Sequence, residues 1–381
     1  MAPCARRKGN NVSILTRLKA LMRRSVSALI VAGRRSVPAI GKADVVPADV
    51  DLRAAQALAQ MEFIAESRPI QVSVETTTLC NSRCTFCAYP KVVRPKTVMT
   101  LDLFEKICRD FEALGGGLLG LAPMMSDPLV DPYLLDRVRL VVGSFPKIKL
   151  HMFTNLIALA RFSDDEVRFM LQSMRHIDVS IGGLEADGYA EMFGVNKFDS
   201  VYASLLRLGK FNQSMGSKCR LNLHVRTNKV TATQQSPIMS ELLDLGYICV
   251  GIATQFSDFG GIVRQEDVPD GITVVKVDRT GETDSCLIAM SYIGIAPDGQ
   301  VAGCQCFDGR GATTIGNACE DSLADIWASQ RAKDFRYSFK NNATPDFCKS
   351  CAFYLPHSKT FRDQKLLDFD VSKDCFWEKL N

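Results

Sequence analysis

The chain of 381 residues contains no apolar run of the roughly 18–20 residues that a membrane-spanning helix requires. It also shows no secretory signal, and its 14 cysteines fall into clusters that do not resemble a disulfide framework. Clustered cysteines in a reducing compartment indicate metal or iron–sulfur ligation. We therefore expect a cytoplasmic globular protein, and the apolar content of 46% and charged content of 23% are typical of that class.

Acidic residues are absent from residues 1–43, which hold ten of the 46 Lys and Arg residues. The rest of the chain carries 36 basic against 42 acidic residues, so the positive charge belongs to this segment. Between residues 12 and 31 the apolar residues share one helical face, and Arg17, Arg23 and Arg24 lie on the other. This pattern suits peripheral contact with anionic lipid, a helix packed on the main domain, or a loose basic arm.

No fourth cysteine lies close to the run Cys80-Asn-Ser-Arg-Cys84-Thr-Phe-Cys87. A closed zinc site takes four ligands of short spacing, and the next cysteine, Cys108, lies within an amphipathic helical pattern. Three thiolates on one loop can hold three irons of a 4Fe–4S cluster and leave the fourth iron open to a ligand. A zinc knuckle or a cluster used only for electron transfer is the alternative.

The same run, with Phe86 before its last cysteine and a strand-like segment ahead of it, resembles the radical S-adenosylmethionine (SAM) superfamily. The resemblance implies that Cys80, Cys84 and Cys87 hold a 4Fe–4S cluster that binds SAM through its open iron. It also implies that SAM is cleaved reductively to a 5′-deoxyadenosyl radical, which takes a hydrogen atom from an unactivated C–H bond. The electron would come from a reductant such as flavodoxin or ferredoxin.

Strand-like and helical patterns alternate from residue 69 onward. The strand-like runs cover residues 71–75, 117–122, 149–154, 176–181, 220–226 and 248–254. The helical patterns cover residues 101–114, 131–142, 164–173, 199–211 and 236–245. This alternation predicts a parallel sheet with helices outside, and it resembles the superfamily's barrel. We expect an α/β fold: a partial (β/α)6 TIM-like barrel over 69–265, after a basic extension over 1–68 and before a small domain over 266–381.

The end of the second strand carries Ser126, Asp127 and Pro128. Active sites of such barrels lie at the C-terminal ends of the strands. Many members of the superfamily have Gly-Gly-Glu-Pro here, where backbone carbonyls and the acid meet the amino group of SAM. The resemblance therefore implies that these three residues bind that amino group, with a shifted register and a shorter acid.

The next three strands end in further candidates. Asn155 follows Thr154 as in the superfamily, and Ser180 stands where the ribose or carboxylate of SAM is often held. Arg226 on the fifth strand suits the SAM carboxylate, because guanidinium binds a carboxylate through two parallel hydrogen bonds. Each residue alone is equally compatible with a turn or cap at a strand end.

The C-terminal region carries a second set of cysteines, Cys286, Cys304, Cys348 and Cys351. Their spacing resembles the auxiliary-cluster extension of radical SAM enzymes in its shorter form, called Twitch. The resemblance implies one auxiliary 4Fe–4S cluster held by all four, and a structural zinc site is the alternative.

The longer form of that extension, called SPASM, has further cysteines where this chain has His357 and Phe361. A complete second auxiliary cluster is therefore not expected, and Cys306, Cys319 and Cys375 have no place in the scheme. The turn signal Pro297-Asp-Gly299 predicts a hairpin between 290–296 and 300–304, and a helix is predicted over 322–335.

The fate of the substrate radical separates the candidate reactions. Loss of an electron to an auxiliary cluster and of a proton to a base gives an oxidation, for example of an alcohol to a ketone. Return of a hydrogen atom from a thiol gives epimerisation, and alternation along the sixth strand predicts that Cys249 points into the barrel for that role. A small buried residue is the alternative interpretation of Cys249.

Polar residues near the barrel mouth indicate the substrate class. Gln255, Asp258, His224 and Arg226 predict a hydroxyl-rich small molecule such as a sugar or an aminocyclitol, and no nucleic acid. We favour the oxidation. Epimerisation, peptide modification and a non-enzymatic iron–sulfur protein are the alternatives, and no leader-peptide recognition domain is expected in residues 1–68.

Overall fold

A computed structural model describes residue 59 and residues 62–121, 125–304 and 311–357. The predicted amphipathic segment 12–31, Cys306 and Cys375 lie outside the described residues. In the described part of the chain, every helix is too short or too polar to cross a membrane.

The main sheet begins with six parallel strands that lie side by side in chain order. They are β1 (Gln71–Val74), β2 (Gly117–Leu121), β3 (Ile148–Thr154), β4 (Met174–Ile181), β5 (Arg220–Arg226) and β6 (Tyr247–Ala253). A separate pair follows, β7 (Gln255–Ser257) and β8 (Thr273–Val275). The predicted partial barrel is confirmed.

Helices connect these strands and continue into the C-terminal region. Within the barrel they are α1 (Leu101–Ala113), α2 (Leu134–Ser144), α3 (Asp164–Ser173), α4 (Ala186–Phe193), α5 (Phe198–Ser214), α6 (Val230–Gln234) and α7 (Pro237–Asp244). The C-terminal region adds α8 (Leu287–Ser291), α9 (Leu323–Ala328), α10 (Gln330–Arg336) and α11 (Asp346–Lys349).

Local side-chain chemistry sets several helix ends. Ser163 and Glu166 form the capping box that opens α3. The predicted helix over 131–142 begins only at Leu134, because the Asp131 carboxylate accepts hydrogen bonds from the Tyr133 N–H and from Arg137 Nε, at 2.9 and 2.8 Å. These bonds hold Asp131 in the turn before the helix.

The C-terminal region adds three strands to the edge of the barrel sheet. They are β9 (Tyr292–Ile295), β10 (Gln300–Ala302) and β11 (Thr314–Asn317), and β9 pairs in parallel with β1. The predicted hairpin is confirmed as the antiparallel pair of β9 and β10, with Gly299 at a φ of 85° in its turn. The predicted helix over 322–335 is divided, because Ser329 ends α9 and caps α10.

Alternation along the strands separates two environments. Val72, Leu119 and Leu221 are fully buried in the apolar core that the sheet forms with its helices. The opposite face carries polar residues such as His151, whose ring lies close to Gly120, where a Cβ atom would stand 2.5 Å from His151 Nε2. The barrel interior is therefore polar and closely packed at this level.

Candidate active site

The loop after β1 brings Cys80, Cys84 and Cys87 together. The Ser82 hydroxyl lies 3.4 Å from Cys80 Sγ and 3.3 Å from Cys84 Sγ, so one side chain touches two of the thiols. The Tyr89 N–H donates a hydrogen bond to Cys87 Sγ at 3.4 Å. These contacts direct the thiols into one small region at the C-terminal end of the first strand.

Arg226 at the end of β5 reaches this loop from across the barrel. Its guanidinium carbon lies 5.9 Å from the centre of the Phe86 ring and 5.7 Å from that of Phe256, and the two rings stack at 4.5 Å. Arg226 Nε donates a hydrogen bond to Ser180 Oγ at 3.3 Å. Three of the predicted residues, Phe86, Ser180 and Arg226, thus lie together beside the cysteines.

Asp127 joins the ends of β2 and β3. Its carboxylate accepts hydrogen bonds from Thr154 Oγ1 at 2.9 and 3.0 Å, from the Asn155 N–H at 2.7 Å and from the Leu129 N–H at 2.9 Å. Both carboxylate oxygens are therefore engaged within the protein. This geometry gives Asp127 a positioning role, and the expected contact of its carboxylate with the amino group of SAM stays a prediction.

Three neighbours of Asp127 complete this side of the site. Pro128 opens a short 3-10 helix that Asp127 caps. Asn155 Nδ2 donates a hydrogen bond to Asn81 Oδ1 at 2.9 Å and lies 3.8 Å from Cys80 Sγ. Ser126 Oγ is buried and makes no hydrogen bond within the described residues. Buried hydroxyl groups normally have a hydrogen-bond partner, so this one is available to a bound ligand.

The four predicted C-terminal cysteines line a single cavity. Cys286, Cys304, Cys348 and Cys351 share it mainly with the apolar and aromatic residues Ile288, Ala289, Phe335, Phe339, Phe347, Phe353 and Tyr354. Cys319 does not line this cavity: its Sγ lies 3.5 Å from the Asp298 carbonyl oxygen, at the hairpin turn, and the residue is exposed. The predicted set of four is therefore brought together, and Cys319 stands apart from it.

Comparison with known proteins agrees with this arrangement. Residues 74–216 match the family model of the radical SAM superfamily, and residues 286–352 match that of an iron–sulfur cluster-binding domain, SPASM. The chain belongs to the radical SAM superfamily. Its cofactors are accordingly SAM, a 4Fe–4S cluster and an auxiliary iron–sulfur cluster.

Individual relatives of this superfamily member are distant. A "tungsten-containing aldehyde ferredoxin oxidoreductase cofactor-modifying protein" of Pyrococcus furiosus is 25% identical over 357 residues, which cover 80% of this chain and 94% of that protein. BtrN in complex with AdoMet and 2-DOIA is 19% identical, with a TM-score of 0.50 over 74% of this chain and 92% of its own. SuiB of Streptococcus suis, bound to its precursor peptide SuiA, is 16% identical, with a TM-score of 0.51. The match covers 94% of this chain and 87% of SuiB. The two solved structures show a shared fold.

The thiols of Cys80, Cys84 and Cys87 suit the cluster that binds SAM in this superfamily. Burial, and then the charge of neighbouring thiols, raises the pKa of Cys84 well above its ordinary value, and burial raises that of Cys87 to about 11. Three such thiols cannot ionise together unless a positive group compensates them, and iron is such a group. The Ser126 hydroxyl, which has no hydrogen-bond partner within the described residues, and the Arg226 guanidinium likewise suit a polar ligand such as SAM beside the three cysteines.

The cysteines of the auxiliary cavity, which is the one that Cys286, Cys304, Cys348 and Cys351 line, also suit an iron–sulfur group. Burial raises the pKa of Cys286, and the backbone N–H groups of Ala289, Leu355 and Ile288 partly offset that rise. Such N–H groups stabilise a thiolate at the start of a helix, here α8. Burial also raises the pKa of Cys351 to about 11, so both thiols need a cation to ionise.

Arg279 supports the auxiliary cavity and was not predicted from the sequence. Its backbone N–H donates to the Lys349 carbonyl at 2.7 Å, and its Nε donates to the Cys351 carbonyl at 3.3 Å. Its guanidinium carbon lies 5.3 Å from the centre of the Tyr354 ring, another cavity residue. Arg279 thus stabilises the loop that carries Cys348 and Cys351, and no sequence pattern predicts this role.

A loop after β7 approaches the auxiliary cavity from the barrel. A Cβ atom at Gly260 would stand 2.6 Å from the Phe347 ring, so only glycine allows this packing, and its φ is 67°. The Asp258 carboxylate contributes to the raised pKa of Cys351. Asp258 is buried and Gln255 is exposed, and the substrate pocket that the sequence predicts from them stays a prediction.

Cys249 does not point into the barrel as alternation along β6 predicted. It pairs in register with Leu223, a fully buried residue of the helix-facing core, and a bulge follows between Leu223 and His224. Tyr247, two residues earlier, donates its hydroxyl hydrogen to the Leu205 carbonyl of α5 at 2.8 Å. The Cys249 thiol thus lies on the helix side of the sheet, and the alternative of a small packed residue describes it better.

Proposed function

We propose that this radical SAM enzyme oxidises a hydroxyl group of a polar small molecule, such as a sugar or an aminocyclitol, to a carbonyl group. One observation carries the proposal: four cysteines line one largely apolar cavity, next to a barrel loop. An iron–sulfur cluster with all four irons ligated has no open site for substrate, so it suits electron transfer. An oxidation needs such an electron acceptor.

Each part of the barrel mouth has a role in this proposal. Cys80, Cys84 and Cys87 would hold the cluster, which when bound supplies the electron that cleaves SAM. Arg226 would bind the SAM carboxylate, held in place by Ser180. The stacked rings of Phe86 and Phe256 cover the guanidinium and keep water from that side.

Asp127 and Asn155 have a supporting role in the same proposal. Asp127 fixes the backbone of Asn155, and Asn155 in turn holds Asn81 of the cysteine loop. The neighbouring Ser126 hydroxyl would receive a hydrogen-bond partner from SAM.

Two alternatives have different support. Epimerisation loses its proposed hydrogen donor, because Cys249 lies on the helix side of β6. Peptide modification is suggested by SuiB, which was crystallised with a precursor peptide, but that likeness is one of fold. The name of the P. furiosus relative describes the modification of a cofactor.

Product analysis in deuterated water separates these functions. The anaerobically reconstituted protein is incubated with SAM, dithionite and a panel of hexoses, hexosamines and aminocyclitols. A product that has lost two hydrogen atoms supports the proposal, whereas a stereoisomer of the substrate that carries one deuterium at carbon indicates epimerisation. A variant with Cys80, Cys84 and Cys87 all changed to Ala is the control for reactions that do not depend on SAM cleavage.

A further inference from the structure

Asp178 on β4 collects three hydrogen bonds in the barrel interior. Its carboxylate lies 2.8 Å from His224 Nε2, 3.0 Å from Asn222 Nδ2 and 3.2 Å from His176 Nε2. The side chain of Asp178 is only 13% exposed. These residues lie on the inner face of the sheet, and the cofactor-binding residues proposed above do not include them.

The hydrogen bonds determine the charge of Asp178 and the tautomer of His224. Burial alone would raise the pKa of Asp178, but the hydrogen bonds from His176 and His224 outweigh it and leave that pKa lowered. An ionised carboxylate can only accept hydrogen bonds, so His224 Nε2 must carry the hydrogen between the two residues. In neutral His224 the lone pair then resides on Nδ1.

His224 Nδ1 has space in front of it. The nitrogen makes no hydrogen bond within the described residues and is not among the buried orphaned atoms, and the side chain is 21% exposed. On the neighbouring strand His224 pairs with Gly251, where a Cβ atom would meet nothing within 4 Å. The absence of a side chain at Gly251 thus leaves room for a substrate beside the imidazole.

The position along the barrel also suits a substrate. His224 pairs in register with Ser180 on β4, which holds Arg226 by its hydroxyl group. The Phe153 ring lies 5.3 Å from the imidazole and closes the other side. His224 therefore lies one inward position before Arg226 on β5, and a molecule beside it would lie below the proposed site of the SAM carboxylate.

We infer that His224 is the general base of this enzyme, that Asp178 is its positioning residue, and that the substrate presents a hydroxyl group to His224 Nδ1. This inference rests on the proposed function, since only an oxidation of a hydroxyl group requires the base. It names the group that receives the proton, and it places the reacting hydroxyl beside Gly251.

The oxidation balances with this base. Removal of a hydrogen atom by the 5′-deoxyadenosyl radical leaves a carbon radical that still bears the hydroxyl group. The O–H bond would then break, with its proton passing to His224 Nδ1. The remaining electron would be accepted by an oxidant of the iron–sulfur class, which the auxiliary cysteines would hold, so that a C=O double bond forms. The alcohol has then lost one hydrogen atom, one proton and one electron, which is a two-electron oxidation.

The same side chains do not form a convergent metal site. Ligand atoms of His151, His176 and Asp178 lie within 4.8 Å of one another. However, the rings of His151 and His176 are stacked at 4.5 Å with an angle of 25° between their planes, so their lone pairs run side by side. The Asp178 oxygens are also engaged by hydrogen bonds. A hydrogen-bonded network that orients His224 fits these contacts better.

Imidazole NMR tests the positioning without any substrate. The chain has four histidines, so a ¹⁵N-histidine spectrum of the cluster-loaded protein in its oxidised state is assigned by comparison with a His224→Gln variant. We expect the Nε2–H tautomer for His224, and a change of tautomer population in Asp178→Asn, whose amide can also donate. An Nδ1–H tautomer in the wild-type protein would overturn the inference.

Product partition tests the base itself. With a compound of the panel that the wild-type protein oxidises, His224→Gln should still form 5′-deoxyadenosine. The ratio of oxidised product to 5′-deoxyadenosine should fall by about 100-fold, which is the lower range for a lost general base. Gln172→Ala is the control, because Gln172 is an exposed residue of α3 outside this network, and its ratio should stay near that of wild type.

The outcomes separate the two levels of the proposal. An unchanged product ratio in His224→Gln overturns the base and leaves the proposed oxidation standing. A wild-type protein that oxidises no compound of the panel and instead epimerises one, or modifies a peptide, overturns the proposed function and the base with it.

Discussion

The Arg226 guanidinium carbon lies 5.9 Å from the centre of the Phe86 ring, so the end of the fifth strand contacts the cysteine loop that follows the first. Burial lowers the pKa of Arg226, and the charges of Cys84 and Cys87 partly offset that effect. The arginine therefore lies in the electrostatic field of the thiols proposed to hold the cluster. A carboxylate bound there would compensate the buried guanidinium.

Replacement of Arg226 by lysine should weaken SAM binding more than catalysis of bound SAM. Lysine keeps the charge but loses the planar pair of donors, and loss of one charge-assisted hydrogen bond of about 1.5–3 kcal/mol raises Kd about tenfold or more. Equilibrium binding of SAM to the reconstituted protein measures this change. Arg220→Lys, at the opposite end of the same strand, is the control, and an equal effect of both substitutions would argue against a SAM contact at Arg226.

The triple variant with Cys80, Cys84 and Cys87 changed to Ala should lose SAM cleavage and keep its auxiliary iron. The two cysteine sets lie in different parts of the fold, so about four irons should remain on the C-terminal ligands. Iron analysis and the yield of 5′-deoxyadenosine are the two measurements. Cleavage at the wild-type rate in this variant would remove the proposed cluster site.

The auxiliary site should respond selectively to single cysteine changes. Cys348→Ala removes a thiol that lines the cavity and should loosen the auxiliary iron while SAM cleavage survives. Cys319→Ala should leave the iron content unchanged, because Cys319 is exposed at the hairpin turn. Zinc instead of iron in the triple variant, under iron-replete reconstitution, would contradict an auxiliary iron–sulfur cluster.

Asp127 should lower the free energy of unfolding as the pH rises, whereas an ion-paired carboxylate raises it. Burial raises its pKa to about 6, against an ordinary value of 3.8, although hydrogen bonds from Asn155, Leu129 and Thr154 oppose the shift. The folded state thus holds the proton more tightly than the unfolded chain. This contribution to the free energy of unfolding is fully present below about pH 4 and is lost as the pH rises through 6, up to about 3 kcal/mol in all.

Urea unfolding between pH 4 and pH 7 checks this sign. Asp127→Asn cannot ionise, so it should lack that part of the pH dependence which the wild-type protein shows. Asp164→Asn, at a carboxylate whose side chain is 66% exposed, should retain it. Identical pH profiles for wild type and Asp127→Asn would show that Asp127 does not titrate in this range.

The sequence allowed prediction of those features that depend on periodicity or on short spacings between residues. The barrel strands and the three-cysteine loop were predictable, because alternation of buried and polar residues and the spacing of thiols are local patterns. The pairing of β9 with β1 was not, because no local pattern states which edge a distant strand joins. Asp127 and Arg279 show a similar limit: the hydrogen bonds that define their roles come from residues remote in the chain.

Cys249 separates oxidation from epimerisation, and the structure favours the first. Alternation predicted an inward thiol, but the register shift between Leu223 and His224 leaves Val250 as an extra residue on β6 and breaks the period of two after Cys249. A thiol on the helix side cannot return a hydrogen atom to a substrate in the barrel. Cys249→Ala should therefore form 5′-deoxyadenosine and oxidised product at nearly wild-type rates, whereas Cys351→Ala should stop product formation because the electron loses its acceptor. An inverted product that disappears only in Cys249→Ala, measured by deuterium at the inverted carbon, would show instead that β6 presents the thiol to the substrate.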